Sequence, residues 1–173
     1  MIKKTGEKQI YSGKVINLFV DDLENDGVTF KREVVRHRGG VGILAEKDGK
    51  FAFVKQYRHP IGKEMLEIPA GTRNAGEEPE VTAVRELEEE CGIKAKNVKF
   101  FGKFAVSPGY TDEIIYLYYA NSFENGKVNL DEDDFLTAGW IDKKTAFSIA
   151  ESGEITDGKT LLALYKYKVT NGL

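Results

Sequence analysis

The chain of 173 residues predicts a mixed α/β fold, a sandwich of sheets between helices in one domain. Three observations lead there. Short apolar runs in the first part of the chain are separated by Asn25-Asp26-Gly27 and Lys47-Asp48-Gly49, which are hairpin signals. One sharply bounded helix opens at Pro79, where the missing N–H costs nothing, and stops before Gly92, which suits a left-handed C-terminus. Two further helical stretches, Lys143–Glu151 and Asp157–Lys168, close the chain.

Taken in order, residues 1–38 read as an antiparallel meander with strand-like runs at Val15–Val20 and Val28–Val35. Gly40–Glu46 and Lys50–Tyr57 form a second hairpin, and Met65–Ile68 is a short strand that feeds Pro69-Ala70-Gly71. Val98–Val106 and Glu113–Asn121 are strands on either side of Ser107-Pro108-Gly109-Tyr110, and Ala138–Ile141 is a last short strand. No repeat, linker or low-complexity segment interrupts the pattern.

With 41% hydrophobic and 31% charged residues the composition is that of a soluble globular protein. A net charge of −3 gives no broad attraction to nucleic acid or to an anionic membrane, so a phosphate-bearing ligand must be met locally, by arginine or metal. This favours a small-molecule partner. The single Cys91 forms no internal disulfide and reads as packing, in keeping with a reducing cytoplasm. The start MIKKTGEKQI lacks the apolar core of a signal peptide, and no run approaches membrane-spanning length.

The chemistry concentrates in Gly71–Ile93. On a helix over Pro79–Cys91, Val81, Val84, Leu87 and Cys91 share one face, while Glu86 and Glu90 stack on the opposite one with Glu89 beside them. Carboxylates one turn apart repel, and acids in the last turn oppose the helix dipole. A divalent cation such as Mg2+ or Mn2+ resolves the conflict, because it takes carboxylate oxygens and shares its remaining positions with water and substrate phosphates. A solvated acidic face is the other reading.

The stretch also fits the pattern G-x5-E-x7-R-E-U-x-E-E-x-G-U, with U aliphatic, through Gly71, Glu77, Arg85, Glu86, Leu87, Glu89, Glu90, Gly92 and Ile93. It thereby resembles the Nudix box of hydrolases that act on a nucleoside diphosphate linked to another moiety. The resemblance implies an α/β/α sandwich in which Glu86 and Glu90 bind metal and Glu89 helps or orients water. Arg85 would pair with a glutamate to hold the helix, a structural role. Gln56-Tyr57-Arg58, Leu66–Gly71 and Pro108 look like the ADP-ribose pyrophosphatase subgroup, with Tyr110 where that subgroup often has phenylalanine.

From this likeness follow a backbone carbonyl ligand at Ala70, a diphosphate contact from Arg58 and a substrate-facing loop at Pro108. Arg32 and Glu33 would meet the adenine, on a meander (1–38) that joins a homodimer, with 39–173 as the catalytic portion of the same domain. The general base would come from the acidic loop Leu130–Phe135, with Glu132 the choice over Asp133 and Asp134. The reaction so implied is hydrolysis of ADP-ribose to AMP and ribose 5-phosphate. Alternatives are another nucleoside diphosphate sugar, a dinucleoside polyphosphate, or a non-catalytic ADP-ribose sensor, for which an eroded box and a DNA-binding domain would be the marks.

Two other patterns carry less. Gly153–Thr160 fits G-x4-G-K-T, but it follows a helix and holds Glu154 and Asp157, so it reads as a turn and N-cap. The glycines of Arg38–Gly42 lack the spacing and following helix of a dinucleotide site, and His37 and His59 are too far apart to suggest a metal site.

Overall fold

The computed structural model describes residues 1–130 and 135–173. The acidic-loop calls Glu132, Asp133 and Asp134 lie outside the described residues. The chain divides into two compact units, Met1–Gly39 with Phe104–Ile115, and Gly40–Lys103 with Tyr116–Leu173.

In the first unit three strands, β1 (Lys3–Ser12), β2 (Ile16–Asn25) and β3 (Val28–His37), pair antiparallel in the order β1-β2-β3. The Asn25–Val28 turn holds Asp26 at φ 51° and Gly27 at φ 82°, the left-handed pair that a tight hairpin needs. The meander therefore has three strands where the hydrophobic pattern gives two. The extra one, KKTGEKQIYS, is exposed along nearly its whole length, so no alternation marks it. Its register against β2 shifts at Lys4/Gly6 and again at Gln9/Tyr11.

In the second unit, β4 (Gly40–Lys47) and β5 (Lys50–Arg58) join through Asp48 (φ 49°) and Gly49 (φ 76°). They are followed by β6 (Lys63–Glu67), β7 (Ala70–Thr72), α1 (Pro79–Cys91) and β8 (Ile93–Ala95), and then by β9 (Lys99–Ala105) and β10 (Ile114–Ala120), of which Phe104, Ala105, Ile114 and Ile115 count with the first unit, and by β11 (Phe123–Asn125). The last elements are β12 (Leu136–Asp142), α2 (Lys143–Glu151) and α3 (Gly158–Thr170). The main sheet runs β12-β5-β4-β10-β9, with β6 on β5 and β7 on β4. Gly71 thus lies in a strand, paired with Val41 of β4.

Strand alternation builds the sandwich. Val41, Ile43, Ala45 and Ala52 pack with Ala83 and Leu87 of α1 on one face. On the other face Phe51 meets Phe147 of α2 and Tyr167 of α3 edge-on, with ring centroids 6.0 and 4.9 Å apart. Burial on both sides explains why β4 and β5 read as nearly continuous apolar runs. No helix among the described residues is long and apolar enough to cross a membrane.

Candidate active site on the box helix

Helix α1 begins at Pro79 and ends in a left-handed Gly92 (φ 66°), whose N–H donates to the Glu88 carbonyl. The face it buries differs from the one that hydrophobicity alone predicts. Val81 is 56% exposed and Val84 and Cys91 are half-buried, whereas Thr82, Ala83, Leu87 and Glu90 are buried. Small side chains let the helix approach the sheet closely, and the carboxylate ridge turns inward with it. Burial pushes the Cys91 thiol up to about 12, which leaves it unreactive.

Glu90, only 8% exposed, accepts a hydrogen bond from the Ala70 N–H at 3.0 Å. Glu86 lies over Gly71 so closely that a Cβ there would stand 2.1 Å from its carboxylate. No residue but glycine admits Glu86 in this position. Both acids are held away from water: burial pushes Glu90 up to about 8, with the Glu86 charge adding to it, and burial likewise raises Glu86 despite Arg85.

Arg85 organises the other acids. Its Nε and Nη2 donate to Glu77 at 3.0 Å each, Nη1 donates to Glu86 at 2.7 Å and Glu89 at 2.8 Å, and Nη2 also reaches the Thr72 carbonyl at 3.2 Å. Glu77 additionally accepts from the Asn74 N–H at 3.0 Å and the Thr82 hydroxyl at 2.9 Å, and the Arg85 guanidinium beside it holds its carboxyl near 2. A box carboxylate beyond this reach is Glu90, the most buried of the set.

Among the described residues no three His, Cys, Asp or Glu side chains converge to cage an ion by themselves. The donors that suit a hard cation are the carboxylates of Glu86 and Glu90, raised by crowding and burial, and the backbone at Ala70–Gly71 on which they rest. Such a partial set matches Mg2+, which completes its shell with water and phosphate oxygens. The outer side of α1 carries a cleft of about 830 Å3 lined by Val81, Val84, Glu88, Glu89, Lys94, Lys127 and Asn129. Asn129 N–H donates to the Glu89 carbonyl at 3.0 Å, so the segment leading to the acidic loop is tied to the end of the helix.

Arg58 ends β5 and is gripped by Glu67, Nε to Oε1 and Nη2 to Oε2, both at 2.7 Å. Glu67 is 1% exposed. Burial would raise its carboxyl, but Arg58 and Lys159 together outweigh that and hold it below the ordinary range. Sequence reading overlooks this partner, although a charge on the inward register of Met65-Leu66-Glu67-Ile68 is the available signal.

Of the remaining candidates, Arg32 and Glu33 lie on β3 in the first unit. With Val20, Lys31, Gly109 and Tyr110 they line a cavity of about 470 Å3, and Arg32 rests over the Phe30 ring, 4.7 Å from its centroid. Pro108 is exposed in the adjoining turn, which Tyr110 and Thr111 close by donating to the Ser107 carbonyl. His37 lies in this unit as well, its Nδ1 accepting from the Gly39 N–H.

Residues 35–163 match the family described as NUDIX domain. The chain belongs to this family. It is 42% identical over 175 residues to the ADP-ribose pyrophosphatase of Bacillus subtilis (strain 168), covering 99% of this chain and 95% of that protein. It is also 42% identical over 170 residues to the Methanol dehydrogenase activator of Bacillus methanolicus, covering 96% and 92%. A solved structure described as an ADP compounds hydrolase matches with a TM-score of 0.86 over 99% of this chain and 94% of that one; at 19% identity it shows the Nudix fold alone. The matched span includes the Gly71–Ile93 segment whose carboxylates α1 carries inward.

Proposed function

We propose that the chain hydrolyses the diphosphate of ADP-ribose, with Mg2+ or Mn2+ as cofactor, to AMP and ribose 5-phosphate. The observation that carries the reading is the buried pair Glu86 and Glu90 seated on the Ala70–Gly71 backbone, outside full neutralisation by Arg85. The full-length likeness to an ADP-ribose pyrophosphatase supplies the substrate class.

Glu86, Glu90 and the Ala70 carbonyl would hold the cation, and the chemistry it would supply there is neutralisation of phosphate oxygens and a lowered pKa for water. Arg58 binds the diphosphate: Glu67 takes its Nε and Nη2, and Nη1 has no partner among the described residues. Glu89 orients the water and Glu132 accepts its proton. The water oxygen bonds to phosphorus as the bridging P–O bond breaks, and the leaving phosphate keeps the electron pair. Arg85, Glu77, Gly71 and Gly92 keep the box in shape. Arg32 and Glu33 meet the adenine, and the loop at Pro108 faces the substrate.

Residues 1–38 and 39–173 make one functional domain that works as a homodimer through the meander, in the cytoplasm. Sedimentation of the active enzyme tests the dimer, and a fully active monomer would dispose of it. A panel of ADP-ribose, other nucleoside diphosphate sugars, dinucleoside polyphosphates and NAD, with Mg2+ and with Mn2+, tests the reaction. The name of the Bacillus methanolicus relative makes methanol dehydrogenase activation a further assay worth running on the same preparation. Preference for ADP-ribose is expected; binding without turnover would favour a sensor.

A further inference from the structure

The stretch Gly158-Lys159-Thr160 is no phosphate loop, yet its lysine is not a surface residue either. Lys159 keeps 13% of its side chain exposed and pairs with Glu67 Oε2 and, at 3.0 Å, with Asp157 Oδ1. A lysine in the first turn of α3 stands at the positive end of the helix dipole, a place that disfavours it. Something other than helix stability accounts for it.

What the first turn of α3 does is grip the strand that supplies the site. Asp157 caps the helix by accepting from the Thr160 N–H at 3.0 Å. The buried Thr160 hydroxyl donates to Asp157 at 2.5 Å and accepts from the Ile68 N–H at 2.9 Å. Lys159 and Thr160 therefore fasten the adjacent residues Glu67 and Ile68, and Ala70, whose N–H meets Glu90, follows two residues later. Arg58 shares the oxygen that Lys159 holds.

A buried carboxylate bound to Arg58 alone would absorb its charge in a closed ion pair. A second cation on the same oxygen changes that balance. It draws off part of the Glu67 charge and fixes the carboxylate, leaving Arg58 oriented but with positive charge to offer. We propose that Lys159 is a positioning residue for Arg58, sharing Glu67 with it so that the guanidinium is held in place and stays available to a substrate diphosphate. This rests on the reading of Arg58 as the diphosphate ligand.

The experiment is a double-mutant cycle on Lys159→Met and Arg58→Ala, with Lys159→Arg and Lys159→Gln alongside. Lys159→Met lowers kcat/KM about 10- to 100-fold, the scale of a misplaced binding group. Lys159→Arg restores it to within about threefold, and in the Arg58→Ala background Lys159→Met costs less than about threefold more, since partners in one network are not additive. Affinity for α,β-methylene ADP-ribose, measured by calorimetry, follows the same order without turnover. Thermal unfolding is followed throughout; should Lys159→Met not fold, Lys159→Gln carries the cycle, keeping a hydrogen-bonding group without the charge.

Turnover of Lys159→Met within about threefold of wild type, or an equal loss with and without Arg58, overturns the proposal. If the wild type prefers another nucleoside diphosphate, the substrate reading fails instead, and the cycle is read on that compound with the same two refuting outcomes.

Discussion

Replacing Glu77 by Gln isolates the ion pair on which the box depends. The Glu77 carboxylate accepts two hydrogen bonds from Arg85 and one each from Asn74 and Thr82, at 2.9–3.0 Å. Its folded-state pKa of about 2, against an ordinary 4.5, corresponds to at most about 3 kcal/mol at neutral pH. Arg85 keeps 26% of its side chain exposed, so solvent screening brings the expected loss to about 1–3 kcal/mol. The sign follows from the depressed pKa: the contribution is complete above the unfolded value of 4.5 and disappears as pH falls toward about 2. Urea denaturation at several pH values, read through the single Trp140, should show a wild-type advantage that is constant above about pH 5 and shrinks steadily below about pH 4.5. An advantage independent of pH, or one below about 0.5 kcal/mol at pH 7, would refute the reasoning, because Gln would then be doing all that the carboxylate does.

Glu90→Gln keeps an acceptor for the Ala70 N–H, so unfolding should change little while turnover falls more than about 100-fold, the scale of losing a transition-state charge stabiliser; an unfolded variant or wild-type rates would contradict this. Gly71→Ala should displace only the end of the Glu86 side chain, costing about 1 kcal/mol or less in stability but raising the Mg2+ needed for half-maximal activity, which a metal titration checks. Because Glu90 sits at about 8, cation binding must release its proton, so Mg2+ affinity should climb from about pH 6 to about pH 8; in the metal-free protein the same raised pKa makes stability fall as pH rises over the range 4.5 to 8, and calorimetry in buffers of different ionisation enthalpy detects the proton. Glu132→Gln should cut kcat by about two to four decades with KM little changed, with Asp133→Asn and Asp134→Asn as register controls; three variants within about threefold of wild type would leave the acidic loop without a catalytic role.

Much of this is legible in the sequence because local rules and tertiary demands agree. Pro79 and Gly92 bound α1 where the structure does, Lys143–Glu151 is α2 residue for residue, and Asp157 caps α3. The hairpin turns are legible for the same reason, since Asp26-Gly27 and Asp48-Gly49 take the positive φ values that the turn requires. Strand β1 is not, because both its faces are exposed and nothing selects an apolar alternation. The short strands β8 and β11 pair only with each other over three residues and leave too little pattern to read.

The buried face of α1 is the more instructive difference. A hydrophobic count puts Val81 inside and the glutamates outside, but the helix must come close to β4 and β7, and Thr82 and Ala83 permit that approach where valine would hold it off. Once the helix is rotated that way, Glu86 and Glu90 have no choice but to lie on the Ala70–Gly71 backbone, and the missing side chain of Gly71 is what makes room. Two carboxylates there are an arrangement that folding alone would not favour, since burial raises both, the Glu86 charge adds to the rise at Glu90, and those of Glu89 and Glu77 add to the rise at Glu86. Arg85 relieves Glu86 and Glu89 but is largely committed to Glu77, and the nearest other cations, Arg58 and Lys159, are tied to Glu67. Of Glu77, Glu86, Glu89 and Glu90, the one left without a cation partner among the described residues is therefore Glu90, beside the Ala70 amide. A divalent cation placed there would stabilise the folded protein as well as its reaction, so Mg2+ should raise the melting temperature of the wild type and leave that of Glu90→Gln nearly unchanged.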